Sequence, residues 1–160
     1  MLSRRLALLA GAGIAFLGLR GQGGAATGAT FPVTYTDEEW RKRLTPQQYA
    51  VLRRDGTERP YSSPLNEEHR RGTFACAGCE NDLFSSATKF DSGTGWPSFW
   101  APLDKAVVET MDGSFGMVRT AVSCARCGGH LGHVFNDGPK PTGLRYCMNG
   151  VAMTFKPLAA

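Results

Sequence analysis

Two Cys-x-x-Cys pairs, Cys76/Cys79 and Cys124/Cys127, constrain this chain more than any other feature. A two-residue spacer lets both sulfurs of a knuckle face one ion, and two such knuckles complete the tetrahedral thiolate shell that suits zinc. The 44 residues between Cys79 and Cys124 exceed the spacing of a compact ribbon. Each pair is therefore expected to cap its own hairpin, with zinc joining distant segments. Two other readings of the four thiols are disulfides in an oxidising compartment and inert buried packing. A thioredoxin-type pair should open a helix in a βαβ context, which is missing around these residues. A zinc closed by four protein ligands is structural and does not activate water. Its binding free energy, about 10–16 kcal/mol in small peptides, rivals the stability of a whole domain, about 5–15 kcal/mol.

At 160 residues and 42% apolar content, the chain has room for one domain with a real core. The formal charge of +4 is small, and Arg4, Arg5 and Arg20 supply much of it, so no clustered basic surface for nucleic acid is implied. Residues 1–30 contain no acid, open with Ser3-Arg4-Arg5 and continue as an apolar run over 6–19 into a small-residue stretch. That is the layout of an export signal and linker, with the folded domain expected over 31–160. The tandem arginines resemble a twin-arginine signal, which carries folded proteins to the periplasm. A mitochondrial transit peptide is the main competitor. The run is too short for a comfortable membrane span, so contact with a membrane is expected only during export.

Thr36-Asp-Glu-Glu39 reads as a capping box that opens a helix through about Leu44, and Thr45-Pro46-Gln47-Gln48 repeats that logic. The second helix is expected to stop near Gly56, with Trp40, Leu44, Tyr49 and Leu52 packing both helices onto the downstream part of the chain. Arg59-Pro60 and Ser63-Pro64 predict an extended linker to Arg71. Beyond Gly72 the pattern turns to β, with short strands over 73–76, 106–111, 115–122, 130–135, 144–148 and 152–156. Asp112-Gly113 is a hairpin-turn signal. The predicted fold is mainly β: an antiparallel sandwich or partly open barrel with a short helical N-terminal arm.

The fifth cysteine, Cys147, has no companion. On a strand, Arg145, Cys147 and Asn149 share one face while Tyr146 and Met148 take the other. A neighbouring cation lowers a thiol pKa, and the thiolate is the nucleophile, so Arg145 is expected to activate Cys147. His130 and His133 are split across a straight strand but converge on one bent at Gly132, where they can donate a proton to a substrate oxygen. Each residue also has a bland reading: a buried thiol, a core or surface histidine, a salt-bridging arginine. Their concentration within twenty residues favours a site.

The segments Cys76-x-x-Cys79, Phe90-Asp-Ser-Gly-Thr-Gly-Trp-Pro-Ser-Phe99, Cys124-x-x-Cys-Gly-Gly-His-Leu-Gly-His-Val-Phe135, Asp137-Gly-Pro139 and Arg145-Tyr-Cys-Met-Asn149 resemble the peptide methionine-R-sulfoxide reductases, the B type. The resemblance runs from about Phe31 to the C-terminus. It implies a β-fold, a four-cysteine zinc site, and reduction of methionine-R-sulfoxide in peptides or proteins to methionine. In that scheme Cys147 attacks the sulfoxide sulfur and becomes a sulfenic acid. His130 and His133 hold and protonate the oxygen, Asn149 orients the reacting groups, and Trp96 packs on the substrate methyl. The chain departs from the pattern at Thr94, where many members carry a resolving cysteine, and at Gly150, where serine is common. The expectation is a one-cysteine enzyme, monomeric, with zinc as its only cofactor and an external thiol reductant such as a thioredoxin-like protein. A non-catalytic zinc-braced β-module that binds a protein or small ligand is the rival from another class.

Overall fold

The computed structural model describes residues 30–113 and 118–159. The export-signal reading therefore lies outside the described residues except for Thr30, as does the start of the strand expected over 115–122.

Both helices begin where the capping boxes place them. Helix α1 spans Asp37–Arg43 and α2 spans Pro46–Arg54, each opened by a threonine whose hydroxyl accepts the backbone N–H three residues on. Helix α2 stops at Arg54, close to Gly56 as expected. Asp55, not Gly56, takes the left-handed conformation, at φ 53°. A short polar side chain tolerates that region better than most. Gly56 comes next, with its N–H on the Ala50 carbonyl at 3.0 Å, where a Cβ would lie 2.7 Å from that oxygen. The linker is not wholly extended: Pro64–Glu67 forms a 3₁₀ turn. Proline fits a first helical turn because its missing N–H has no partner there, and Ser63 Oγ accepts from the Leu65 N–H at 3.2 Å.

The β-region contains nine strands among the described residues: β1 Gly72–Cys76, β2 Asp82–Ser85, β3 Lys89–Phe90, β4 Ser98–Phe99, β5 Val107–Asp112, β6 Arg119–Cys124, β7 His130–Phe135, β8 Arg145–Met148 and β9 Met153–Pro157. They form two antiparallel sheets, one ordered β2-β1-β9 and the other β3-β4-β8-β7-β6-β5. Strands β2, β3 and β4 were not expected. The last two are only two residues long, and so short a segment has no alternation to read. Asp112 belongs to β5 and pairs with Arg119, so Asp112-Gly113 does not form the two-residue turn it suggested. A residue with a ladder partner continues the strand.

The two sheets meet through aromatic side chains. Phe84 stacks on Phe99 at 4.3 Å between centroids, and Phe74 meets Phe99 edge-on at 5.0 Å. Phe74, Phe84 and Phe99 are fully buried. Truncating one of them to alanine removes transfer energy and leaves a void, at a cost of about 3–5 kcal/mol. Tyr146 and Met148 join this core, so β8 presents Cys147 on its other face. Trp40, Leu44, Tyr49 and Leu52 are buried as expected, with Val51 beside them. Leu52 packs so closely on Gly129 that a Cβ there would meet its Cδ2 at 2.9 Å, and Arg53 Nη1 donates to the Cys127 carbonyl at 3.1 Å. The helical arm thus sits directly on the cysteine knuckles.

Candidate active site and metal centre

Cys76 ends β1 and Cys124 ends β6, while Cys79 and Cys127 lie in the turns beyond them. Each pair caps a separate hairpin, β1–β2 and β6–β7, as its spacing suggested. The four sulfurs lie within 4.8 Å of one another, with Cys76 to Cys127 at 3.7 Å and Cys79 to Cys124 at 3.6 Å. A disulfide needs about 2.05 Å. A tetrahedron of zinc–sulfur bonds of about 2.3 Å has edges of about 3.8 Å, so the spacing fits zinc and excludes the disulfide reading. Thiols this close share protons unevenly: donation from Cys127 and Cys76 holds Cys124 well below the usual thiol range, and the Cys124 thiolate pushes Cys76 up. A divalent cation relieves that competition by letting all four ionise. The cluster is a structural zinc site. Asn81, which the sequence did not flag, donates from Nδ2 to Cys124 Sγ at 3.7 Å and to the Ala106 carbonyl at 3.2 Å.

Cys147 is half-buried in the middle of the larger sheet. Its ladder partners are Ser98 on β4 and His133 on β7, and directly paired residues share a face. A bulge opposite Val122 and Ser123 skips Leu131, so His130 turns toward the face that carries His133. The two rings are 5.3 Å apart between centroids. Gly132 permits the bend, since a Cβ there would lie 2.1 Å from the Cys147 carbonyl oxygen. His130 is 4% exposed, and its Nε2 is buried with no hydrogen-bond partner among the described residues. Burial depresses its pKa, so the neutral ring is favoured. An unsatisfied buried nitrogen costs about 1–3 kcal/mol unless a ligand meets it. His133 Nε2 is 2.9 Å from Asp112 Oδ2, which Arg119 also contacts at 3.3 Å. Asp112 is thus a member of the site that sequence reasoning took for a turn residue.

Arg145 is brought beside Cys147, but its guanidinium is occupied. It grips Asp137 through two bonds of 2.8 Å and lies 4.4 Å over the Phe135 ring. Burial raises the Cys147 pKa, outweighing the lowering by Thr94, Arg145 and Ser98. Arg145 thus lowers the thiol pKa as expected, but desolvation outweighs it and the resting sulfur is a thiol at neutral pH.

Asn149 is 3% exposed and points both ends of its amide at protein. Nδ2 donates to the Leu131 carbonyl at 3.0 Å, and Oδ1 accepts the Glu58 N–H at 2.9 Å. Trp96 Nε1 donates to the Glu58 carbonyl at 3.2 Å. The Glu58 carboxylate in turn accepts the N–H groups of Gly150 at 2.5 Å and Val151 at 2.9 Å. Glu58 therefore ties together the segments that carry Trp96, Asn149 and β7, a role with no signal in the sequence. At Gly150 a Cβ would meet Ser63 Oγ at 2.1 Å, so the Ser63 hydroxyl fills the space that a serine side chain would need.

This constellation of one half-buried thiol, two convergent histidines and a remote four-thiolate clip has counterparts among known proteins. The SelR domain model matches residues 44–157. A "Peptide methionine sulfoxide reductase MsrB" of Pseudomonas putida (strain W619) is 60% identical over 123 residues, which span 76% of this chain and 92% of that protein. The protein of the same name from Agrobacterium fabrum is 54% identical over 127 residues, 79% of this chain and 94% of its own length. That from Bradyrhizobium diazoefficiens is 57% identical over 126 residues, covering 78% and 91%. With the match spanning most of the domain and each relative nearly end to end, the chain belongs to the SelR-domain family, the peptide methionine sulfoxide reductases MsrB.

Proposed function

We propose that this chain reduces methionine-R-sulfoxide in polypeptides by a one-cysteine route. The observation that carries it is the sulfur count around Cys147. Thr94 Oγ1 is the hydroxyl 3.9 Å from Cys147 Sγ, and the other four sulfurs are gathered within 4.8 Å of one another in the zinc clip. A hydroxyl cannot close a disulfide.

Cys147 ionises as substrate binds and attacks the sulfoxide sulfur. The sulfur–oxygen bond of the substrate breaks while His130 and His133 hold and protonate the departing oxygen. The released water attacks Cys147 and breaks the new sulfur–sulfur bond, so methionine leaves with its sulfur reduced by two electrons and Cys147 is oxidised by two electrons to the sulfenic acid. Two external thiols then return Cys147 to its thiol, yielding their disulfide and one water. Trp96 packs on the substrate methyl. Arg145 steadies the ionised sulfur, and Asn149 acts through the Glu58 segment. The zinc, held by Cys76, Cys79, Cys124 and Cys127, braces the scaffold.

The test is to mix reduced, zinc-loaded protein with excess methionine-R-sulfoxide peptide and no reductant, then trap with dimedone and map the adduct by mass spectrometry. One methionine per chain and a dimedone-labelled Cys147 with zinc retained are expected. An intramolecular disulfide of Cys147 with a zinc-clip cysteine, with zinc release, would overturn the route. Cys147→Ser should abolish turnover, and the S epimer should not be reduced. We further propose that residues 1–30 export the folded protein to the periplasm through Arg4 and Arg5. Replacing both by lysine should hold it in the cytoplasm, and unaltered periplasmic appearance would refute that route.

A further inference from the structure

Beside Cys147 lies a chain of three hydroxyls that the one-cysteine route leaves without a role. Ser92 Oγ is 2.8 Å from Thr94 Oγ1 and 2.7 Å from Ser98 Oγ. Ser98 Oγ donates to the Trp96 carbonyl at 3.1 Å, and Thr94 Oγ1 is 3.9 Å from Cys147 Sγ. Ser98 is fully buried and stands opposite Cys147 in the β4–β8 ladder.

Each hydroxyl has one hydrogen to give. A carbonyl only accepts, so the Ser98 hydrogen is committed to Trp96. The Ser98–Ser92 contact must then use the Ser92 hydrogen, and the Ser92–Thr94 contact must use that of Thr94. Thr94 is left with only a lone pair for Cys147, which suits S–H and not S⁻. All four contacts form together in one direction only, from the Cys147 thiol through Thr94, Ser92 and Ser98 to the Trp96 carbonyl. The reverse direction serves a thiolate but takes the Ser98 hydrogen away from Trp96.

We propose that Ser92, acting through Thr94, is a positioning residue that holds Cys147 as a thiol in the free enzyme, the chain reversing when the sulfur ionises. This deepens the one-cysteine route and rests on Cys147 being its nucleophile. The other charged and titratable groups around the sulfur are Arg145, paired with Asp137, and across β7 His133, paired with Asp112 and Arg119, with His130 beside it. Burial already pushes the Cys147 thiol up, while Thr94, Arg145 and Ser98 pull it down, a hydroxyl doing so by giving its hydrogen to the sulfur. A nucleophile kept protonated resists stray oxidation until substrate arrives, because the thiolate is the oxidisable form.

The consequence is counterintuitive: deleting a hydroxyl that does not touch the sulfur should make the sulfur more reactive. In Ser92→Ala the Thr94 hydrogen is free to turn to Cys147 without disturbing Ser98. Alkylation of Cys147 by iodoacetamide, mapped by mass spectrometry across pH on zinc-loaded protein, should be about threefold to tenfold faster near neutral pH, with its profile displaced to lower pH, as expected for one hydrogen bond. Ser92→Ala should accelerate nothing in a Thr94→Val background. Alkylation of Ser92→Ala at or below the wild-type rate, or acceleration that persists with Thr94→Val, overturns the proposal. The readout needs no turnover, so the activity of Cys147→Ser judges the nucleophile assignment separately.

Discussion

Gly132→Ala tests whether the closeness of β7 to β8 holds the histidines against the thiol. The added Cβ would lie 2.1 Å from the Cys147 carbonyl oxygen, 3.0 Å from Met148 Cα and 3.1 Å from the Cys147 carbonyl carbon. All three are backbone atoms, so no side chain can swing aside. Close carbon–oxygen contacts between strands begin at about 3.3 Å, so the strands must part by about 1 Å at Cys147. Overpacking of this kind costs about 1–3 kcal/mol, and a lost ladder bond adds about 1 kcal/mol. The catalytic effect should be larger than the stability effect suggests, because a misplacement of about 1 Å costs about a hundredfold. Steady-state reduction of a methionine-R-sulfoxide peptide with dithiothreitol should show that loss in kcat. Urea unfolding should report the stability loss, and metal analysis should still find zinc. Activity within about threefold of wild type, with an unchanged unfolding midpoint, would refute the claim that this close approach sets the geometry.

Zinc removal with a chelator should abolish activity and the near-UV signal of the arm tryptophan, because Leu52 and Arg53 dock on the knuckles that the metal organises. A chelated protein with an intact cooperative thermal transition would contradict this. The depressed pKa of buried His130 means that the unfolded chain binds a proton more readily. The stability this group contributes is present above the unfolded value of about 6.5 and is lost as pH falls through the lower folded value. Urea midpoints measured from pH 7.5 down to 5 should therefore drop more in wild type than in His130→Gln, and parallel curves would refute the assignment. Glu58→Gln places an amide donor against the Gly150 or Val151 N–H and should cost about 1–2 kcal/mol, since the group is only half buried. Equilibrium unfolding checks this, and kcat should fall with it because Trp96 and Asn149 share the clamp.

Much of this protein is local in origin and therefore legible along the chain. The capping boxes at Thr36 and Thr45 act within four residues, and the two Cys-x-x-Cys knuckles close on themselves before they meet. Alternation along β8 placed Cys147 opposite the core-facing pair Tyr146 and Met148, and a glycine between two histidines predicted their convergence. What the sequence could not determine depends on groups far apart in the chain. Asp112 reaches His133 across 21 residues, and Glu58 reaches the N–H groups of Gly150 and Val151 across more than 90. Strand β4 exists because the longer β8 supplies its partner, and β3 because β4 then offers its other edge, not because two residues favour a strand. The protonation of Cys147 turned the same way. A neighbouring Arg145 argued for a thiolate from spacing alone, but the desolvation that keeps the thiol is set by what packs around it, and only the assembled sheets decide that.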